Sequence, residues 1–131
     1  MDTAGLIALG NKQDTFHEKS WEIQRKLVLG NASFMCSDFV IAEFCNAFSK
    51  VKLRETAVKM VKSIYESERW EIVPVSDSLM RKSFNLFEQM QDKEWGLVDC
   101  SSIILSRERK LSMIFTTDKH FEQAGFEILL K

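Results

Sequence analysis

The chain has 131 residues, 45% of them hydrophobic and 28% charged, with eighteen Lys+Arg against nineteen Asp+Glu and a formal net charge of −1. Those numbers fit one globular domain over residues 1–131 with a sizeable core, and they are too small for two. The balance of charge excludes a strongly basic nucleic-acid-coating protein and an acidic disordered tail, while leaving room for a local basic face.

Five Gly and one Pro allow few irregular loops and no low-complexity linker, and ten Phe with three Trp supply an aromatic core. Cys36, Cys45 and Cys100 are odd in number, show no CxxC spacing and each sit in an apolar stretch, as buried free thiols do. The two histidines do not offer zinc-ligand spacing with them. The opening MDTAGLIALG has no basic n-region, and no stretch approaches the roughly 20 apolar residues of a membrane span. The expected location is cytoplasmic, with no membrane partner.

Apolar runs alternate with helical segments, which predicts an α/β domain with a mainly parallel sheet. Residues 4–10 and 15–29 read as helices. Phe34-Met35-Cys36 is a short strand running into Ser37, a good N-cap, and DFVIAEFCNAFSKV (38–51) is then a helix with almost no polar face. Residues 53–68 form a more amphipathic helix with Leu53, Ala57, Met60, Val61 and Ile64 at three- and four-residue spacing. A second strand covers 70–75, with Pro74 marking an edge or an end. Ser76 or Asp77 caps a helix to about Gln91; Leu97–Glu108 is another helix and Met113–Thr116 a strand. Asp118 starts a short helix closed by Gly125, and Phe126–Leu130 is the last strand. The chain begins directly at a helix, where a central first strand is expected; that strand reads as truncated.

Four carboxylates stand apart from the solvated ones. Asp2 opens the chain ahead of an apolar helix, and Glu43 is the only charge between Asp38 and Lys50. A helix apolar on nearly all sides is buried, so Glu43 is expected to face the protein. Asp99 is the single charge in LVDCSSIIL, and Asp118 follows the strand IFTT at its C-terminal end, where ligands bind in open α/β sheets. Burying an ionised carboxylate costs several kcal/mol unless it is paired or metal-bound. No Lys or Arg lies in the same segments as Glu43 or Asp99. Converging carboxylates raise one another's pKa, and a hard cation such as Mg²⁺ or Mn²⁺ relieves that. The set therefore points to an acidic metal site and phosphodiester hydrolysis. Each residue also has a plainer reading: Asp118 as an N-cap, Asp99 as a favourable charge in a first helical turn, Glu43 at a gap in the packing.

In D-T-A-G-L-I-A-L (2–9), S-D-F-V-I-A-E-F (37–44), L-V-D-C-S-S-I-I-L (97–105) and F-T-T-D-K-H-F-E-Q-A-G-F (115–126), the chain resembles PIN-domain proteins, and within them the VapC-like toxins of bacterial toxin–antitoxin pairs. The resemblance spans nearly the whole chain. It implies a three-layer α/β/α sandwich and a metal-dependent endoribonuclease. It also implies that Asp2, Glu43, Asp99 and Asp118 hold Mg²⁺ or Mn²⁺, and that Thr116 orients the last acid or a bound water. The partners it implies are an RNA substrate, a small cognate antitoxin and a second copy in a homodimer. Members of that group carry several residues of strand before the first aspartate, where this chain has only Met1. The alternative reading is accordingly an interaction module whose catalytic site is impaired.

Two further features bear on function. Lys50, Lys52, Arg54, Lys59 and Lys62 against Glu55 give residues 50–62 a net charge of +4. That run suits an RNA backbone or a merely solvated helix face. His120, two residues after Asp118, reads as a surface or supporting residue before a proton-transfer group, and Phe16 and Trp21 read as packing residues.

Overall fold

The computed structural model describes all 131 residues, Met1–Lys131. Helices and short strands alternate: α1 (Thr3–Gly10), α2 (His17–Leu29), β1 (Phe34–Ser37), α3 (Asp38–Ala47), α4 (Val51–Glu66), β2 (Trp70–Val73), α5 (Asp77–Gln89), α6 (Leu97–Glu108), β3 (Met113–Ile114), α7 (His120–Gln123) and β4 (Glu127–Ile128). The α/β class and the parallel pairing are as the alternation predicts. β1 runs parallel to β2 with Phe34 opposite Trp70, and β3 parallel to β4 with Met113 opposite Glu127.

The strands form two separate pairs rather than one continuous sheet. Met1 and Asp2 bridge them through the backbone. The Met1 amino group donates to the Met35 carbonyl at 3.0 Å, and the Asp2 amide donates to the Phe115 carbonyl at 3.2 Å. Residue 2 is thereby fixed at the C-terminal end of β3.

Local chemistry sets the element ends. Ser37 and Ser76 cap α3 and α5 through their hydroxyls, as expected of serine before an apolar-periodic run. α3 stops at Ala47, four residues short of its expected end, because Phe48 turns into the core. The Arg54 guanidinium then donates to the Ser49 carbonyl at 2.7 Å and holds the turn into α4. α7 begins at His120 and not at Asp118, whose carboxylate accepts the His120 amide at 2.9 Å in an Asx turn. Gly125, at φ +94°, ends that turn as expected.

Two burial expectations are corrected. α3 buries only the stripe Val40, Ile41 and Phe44, while Ala42, Glu43 and Cys45 are exposed. Alanine and cysteine make the sequence look apolar all round, yet their short side chains bury nothing unless a neighbour comes to them. Glu43 therefore lies on the exposed side of its helix, and Cys45 is an exposed thiol, unlike Cys36 and Cys100.

α1 lies between two apolar clusters. Leu6 packs into one with Val40, Phe44 and Ile64, and Ala8 and Leu9 into another with Phe115 and Leu130. A third cluster, around Ile103, Ile114 and Phe121, joins α6 to the β3–β4 pair. At Gly5 a Cβ would run into the Phe115 carbonyl oxygen and the Met1 sulfur. Gly5→Ala is expected to lower stability by about 1–3 kcal/mol, even though helix propensity alone favours alanine by about 1 kcal/mol. Urea denaturation measures it, and a stabilised variant would show that α1 has room to move off Phe115.

Candidate active site

The four carboxylates singled out from the sequence reach one region from four different elements. Asp2 is the N-cap of α1, its Oδ2 accepting the Ala4 amide at 3.4 Å. Glu43 comes from the middle of α3, Asp99 from the first turn of α6, and Asp118 from the turn after β3. Side-chain hydrogen bonds link them. Thr116, fully buried, donates to Asp2 Oδ2 at 3.0 Å and accepts the Asp118 amide at 3.0 Å. The Thr3 hydroxyl donates to Glu43 Oε1 at 2.5 Å. The Gly96 amide donates to Asp99 Oδ2 at 2.9 Å, so Asp99 also closes the start of its own helix.

Each carboxylate thus spends one oxygen on local structure: Asp2 Oδ2, Glu43 Oε1, Asp99 Oδ2 and Asp118 Oδ1. Capping and ligation are therefore not competing roles here. Asp2 Oδ1 is buried with no hydrogen-bond partner at all. Ligand atoms of Asp99, Asp118 and His120 lie within 4.8 Å of one another. His120 Nδ1 is 3.2 Å from Asp118 Oδ1. The sequence suggests a supporting role for His120, and its two-residue spacing from Asp118 across a turn is the signal that it belongs to the cluster.

The charges are mutually unfavourable. Burial pushes the Asp2 carboxyl up to about 6, and the Asp99 carboxylate adds to the shift. Asp99 is also raised, first by burial and then by the charges of Asp118 and Glu43. No Lys or Arg forms an ion pair with any of the four. An unpartnered buried carboxylate oxygen beside converging acids and an imidazole is a donor set that suits a hard divalent cation. Asp2, Asp99 and Asp118 would hold it, with Glu43 and His120 beside them.

A PIN-domain family model matches residues 1–127. Among solved structures the chain is similar to VapC20 of Mycobacterium tuberculosis, described as a sarcin–ricin-loop-cleaving toxin. The two superpose with a TM-score of 0.82 at 22% identity, over 95% of this chain and 93% of that one. No curated protein sequence matches this chain significantly.

The folded state binds the Asp2 proton more tightly than the unfolded chain does. Between about pH 4 and pH 6 it therefore holds more protons, and stability falls as pH rises through that window. A shift from 3.8 to about 6 corresponds to roughly 3 kcal/mol. Without added metal, the unfolding midpoint of wild type relative to Asp2→Asn is expected to drop across this window; parallel pH profiles would show that the carboxylate is not buried. Thr116→Val removes one partner from Asp2 and one from the Asp118 amide, and is expected to cost about 1–3 kcal/mol by urea denaturation.

Proposed function

Since the chain belongs to the PIN-domain family, we propose that it is a metal-dependent endoribonuclease, the toxin of a toxin–antitoxin pair. The observation that carries this reading is the buried, unpartnered carboxylate oxygen of Asp2, with Asp99 close enough to raise that carboxyl and with ligand atoms of Asp99, Asp118 and His120 within 4.8 Å of one another. The likeness in fold to an RNA-cleaving toxin supports the choice of RNA as substrate. A cognate antitoxin protein is the partner this reading carries.

A bound Mg²⁺ or Mn²⁺ supplies Lewis-acid stabilisation of the phosphate and a water of lowered pKa. The protein's own contribution is to hold the ligand set rigid before substrate arrives. Thr116 does this for two acids at once, fixing Asp2 by donation and the Asp118 backbone by acceptance. Thr3 orients Glu43, whose exposed position lets it take a proton at its second oxygen from a water entering with the substrate. His120, 3.2 Å from Asp118, is the group that on this reading would give a proton to the leaving oxygen.

Thermal unfolding of wild type beside Asp99→Asn, with and without Mn²⁺, tests the site without knowledge of the RNA. Metal at about 100 times its Kd is expected to stabilise wild type by roughly 2.7 kcal/mol, a shift of several degrees. Asp99→Asn is expected to lose the shift together with metal-dependent RNA cleavage. Cleavage retained in that variant would falsify the assignment. No shift and no cleavage in either protein would leave the chain as a binding module.

A further inference from the structure

The two helices that carry the first pair of carboxylates both lead to lysines. α1, capped by Asp2, runs about 12 Å from Thr3 to Gly10, with Lys12 just beyond its C-cap Asn11. α3 carries Glu43 and hands on, past its C-cap Phe48, to Lys50. Lys12, Lys50 and Lys52 line one open groove of about 710 Å³, together with His17 and Trp21, and no carboxylate lines it. None of the three lysines forms an ion pair. α4 begins at these lysines with no acidic residue in its first turn and no side-chain cap, so the positive end of its dipole adds to theirs. The Arg54–Ser49 hydrogen bond fixes the turn that presents Lys50 and Lys52.

Two observations favour an RNA strand over an acidic protein segment as occupant. Between Glu43 and Lys50 the exposed residues are small, Cys45, Asn46 and Ala47 of α3 and Ser49 just beyond its end. The exposed side chains of that stretch carry no charge and little bulk between Glu43 and the groove lysine Lys50. At the groove wall the Trp21 ring is 39% exposed, anchored by donation from its indole N–H to the Leu9 carbonyl at 3.0 Å. An anchored, accessible ring beside unpaired cations is the combination that holds single-stranded nucleic acid.

We propose that the groove of Lys12, Lys50 and Lys52 is an RNA-backbone site that holds the strand to one side of the bond cut at the carboxylates, with the strand passing over Asn46 and Ala47 of α3. The proposal deepens the nuclease reading and rests on it for the identity of the polyanion.

The test compares wild type with two triple variants, Lys12→Gln/Lys50→Gln/Lys52→Gln and the same positions changed to Arg. The probe is a labelled 12-nucleotide single-stranded RNA of mixed sequence, in chelator so that none is consumed. Three phosphate contacts steepen the dependence of log affinity on log salt by about 2. Wild type is thus expected to lose about fifteenfold more affinity than the Gln variant between 50 and 200 mM salt. The Arg variant is expected to follow wild type. Coincident slopes for wild type and the Gln variant overturn the proposal, and so does an Arg variant that behaves like Gln. A wild type that binds poly-glutamate but not the RNA also overturns it and assigns the groove to an acidic protein partner. The nuclease reading fails separately: groove-dependent binding with no cleavage at any divalent concentration rejects that reading and leaves the groove standing.

Discussion

The hydrogen bond from Thr116 to Asp2 joins residues 114 positions apart, and the site is built outward from it. Asp2 is 4% exposed and Thr116 fully buried, so the contact is made where water cannot substitute for either partner. The Asp2 amide is held in the same place by the Phe115 carbonyl, one residue before Thr116. From this junction one side leads through Thr3 to Glu43, the other through the Thr116 oxygen to the Asp118 amide. Gly5, one turn along α1, lets the helix lie against the Phe115 backbone closely enough for the junction to form.

Such a junction sets stability against readiness. Burial and mutual repulsion raise the Asp2 and Asp99 carboxyls; the chain's amino group and His120 offset this only in part, and no Lys or Arg pairs with either acid. The fold recovers part of that cost by giving each acid a structural duty. Asp2 and Asp99 sit at the N-terminal ends of α1 and α6, where the helix dipole favours negative charge. Asp118 forms the turn ahead of α7. One oxygen of each acid is spent on such a hydrogen bond, and the second carries none.

The net charge of −1 conceals a division of the surface. Carboxylates cluster where α1 and α6 begin, and unpaired lysines cluster where α1 and α3 end. A helix of a few turns separates the two. On the proposed nuclease reading, that spacing would give a phosphodiester substrate cations for its backbone and an acid cluster at the bond to be cut, without the lysines neutralising the acids.

The order of helices and strands and the unusual acids are legible in the residues alone, although the ends of α3 and α7 are not. Caps at Ser37 and Ser76, the αL glycine at 125 and the apolar period of 53–64 are local signals, and local energetics decide them. Asp2, Glu43, Asp99 and Asp118 stood out because a lone charge in an apolar segment is costly wherever that segment folds. Which of their surroundings are buried is set by the packing of one element on another. α3 reads as apolar all round, yet Glu43 and Cys45 face outward, because burial depends on what packs against a face and not on its composition. The meeting of Asp99 with Asp118 and His120, and of Lys12 with Lys50 and Lys52, was likewise decided in three dimensions. So was the bridging of two separate strand pairs by Met1 and Asp2. Each depends on distances between residues far apart in the chain, which no local periodicity encodes.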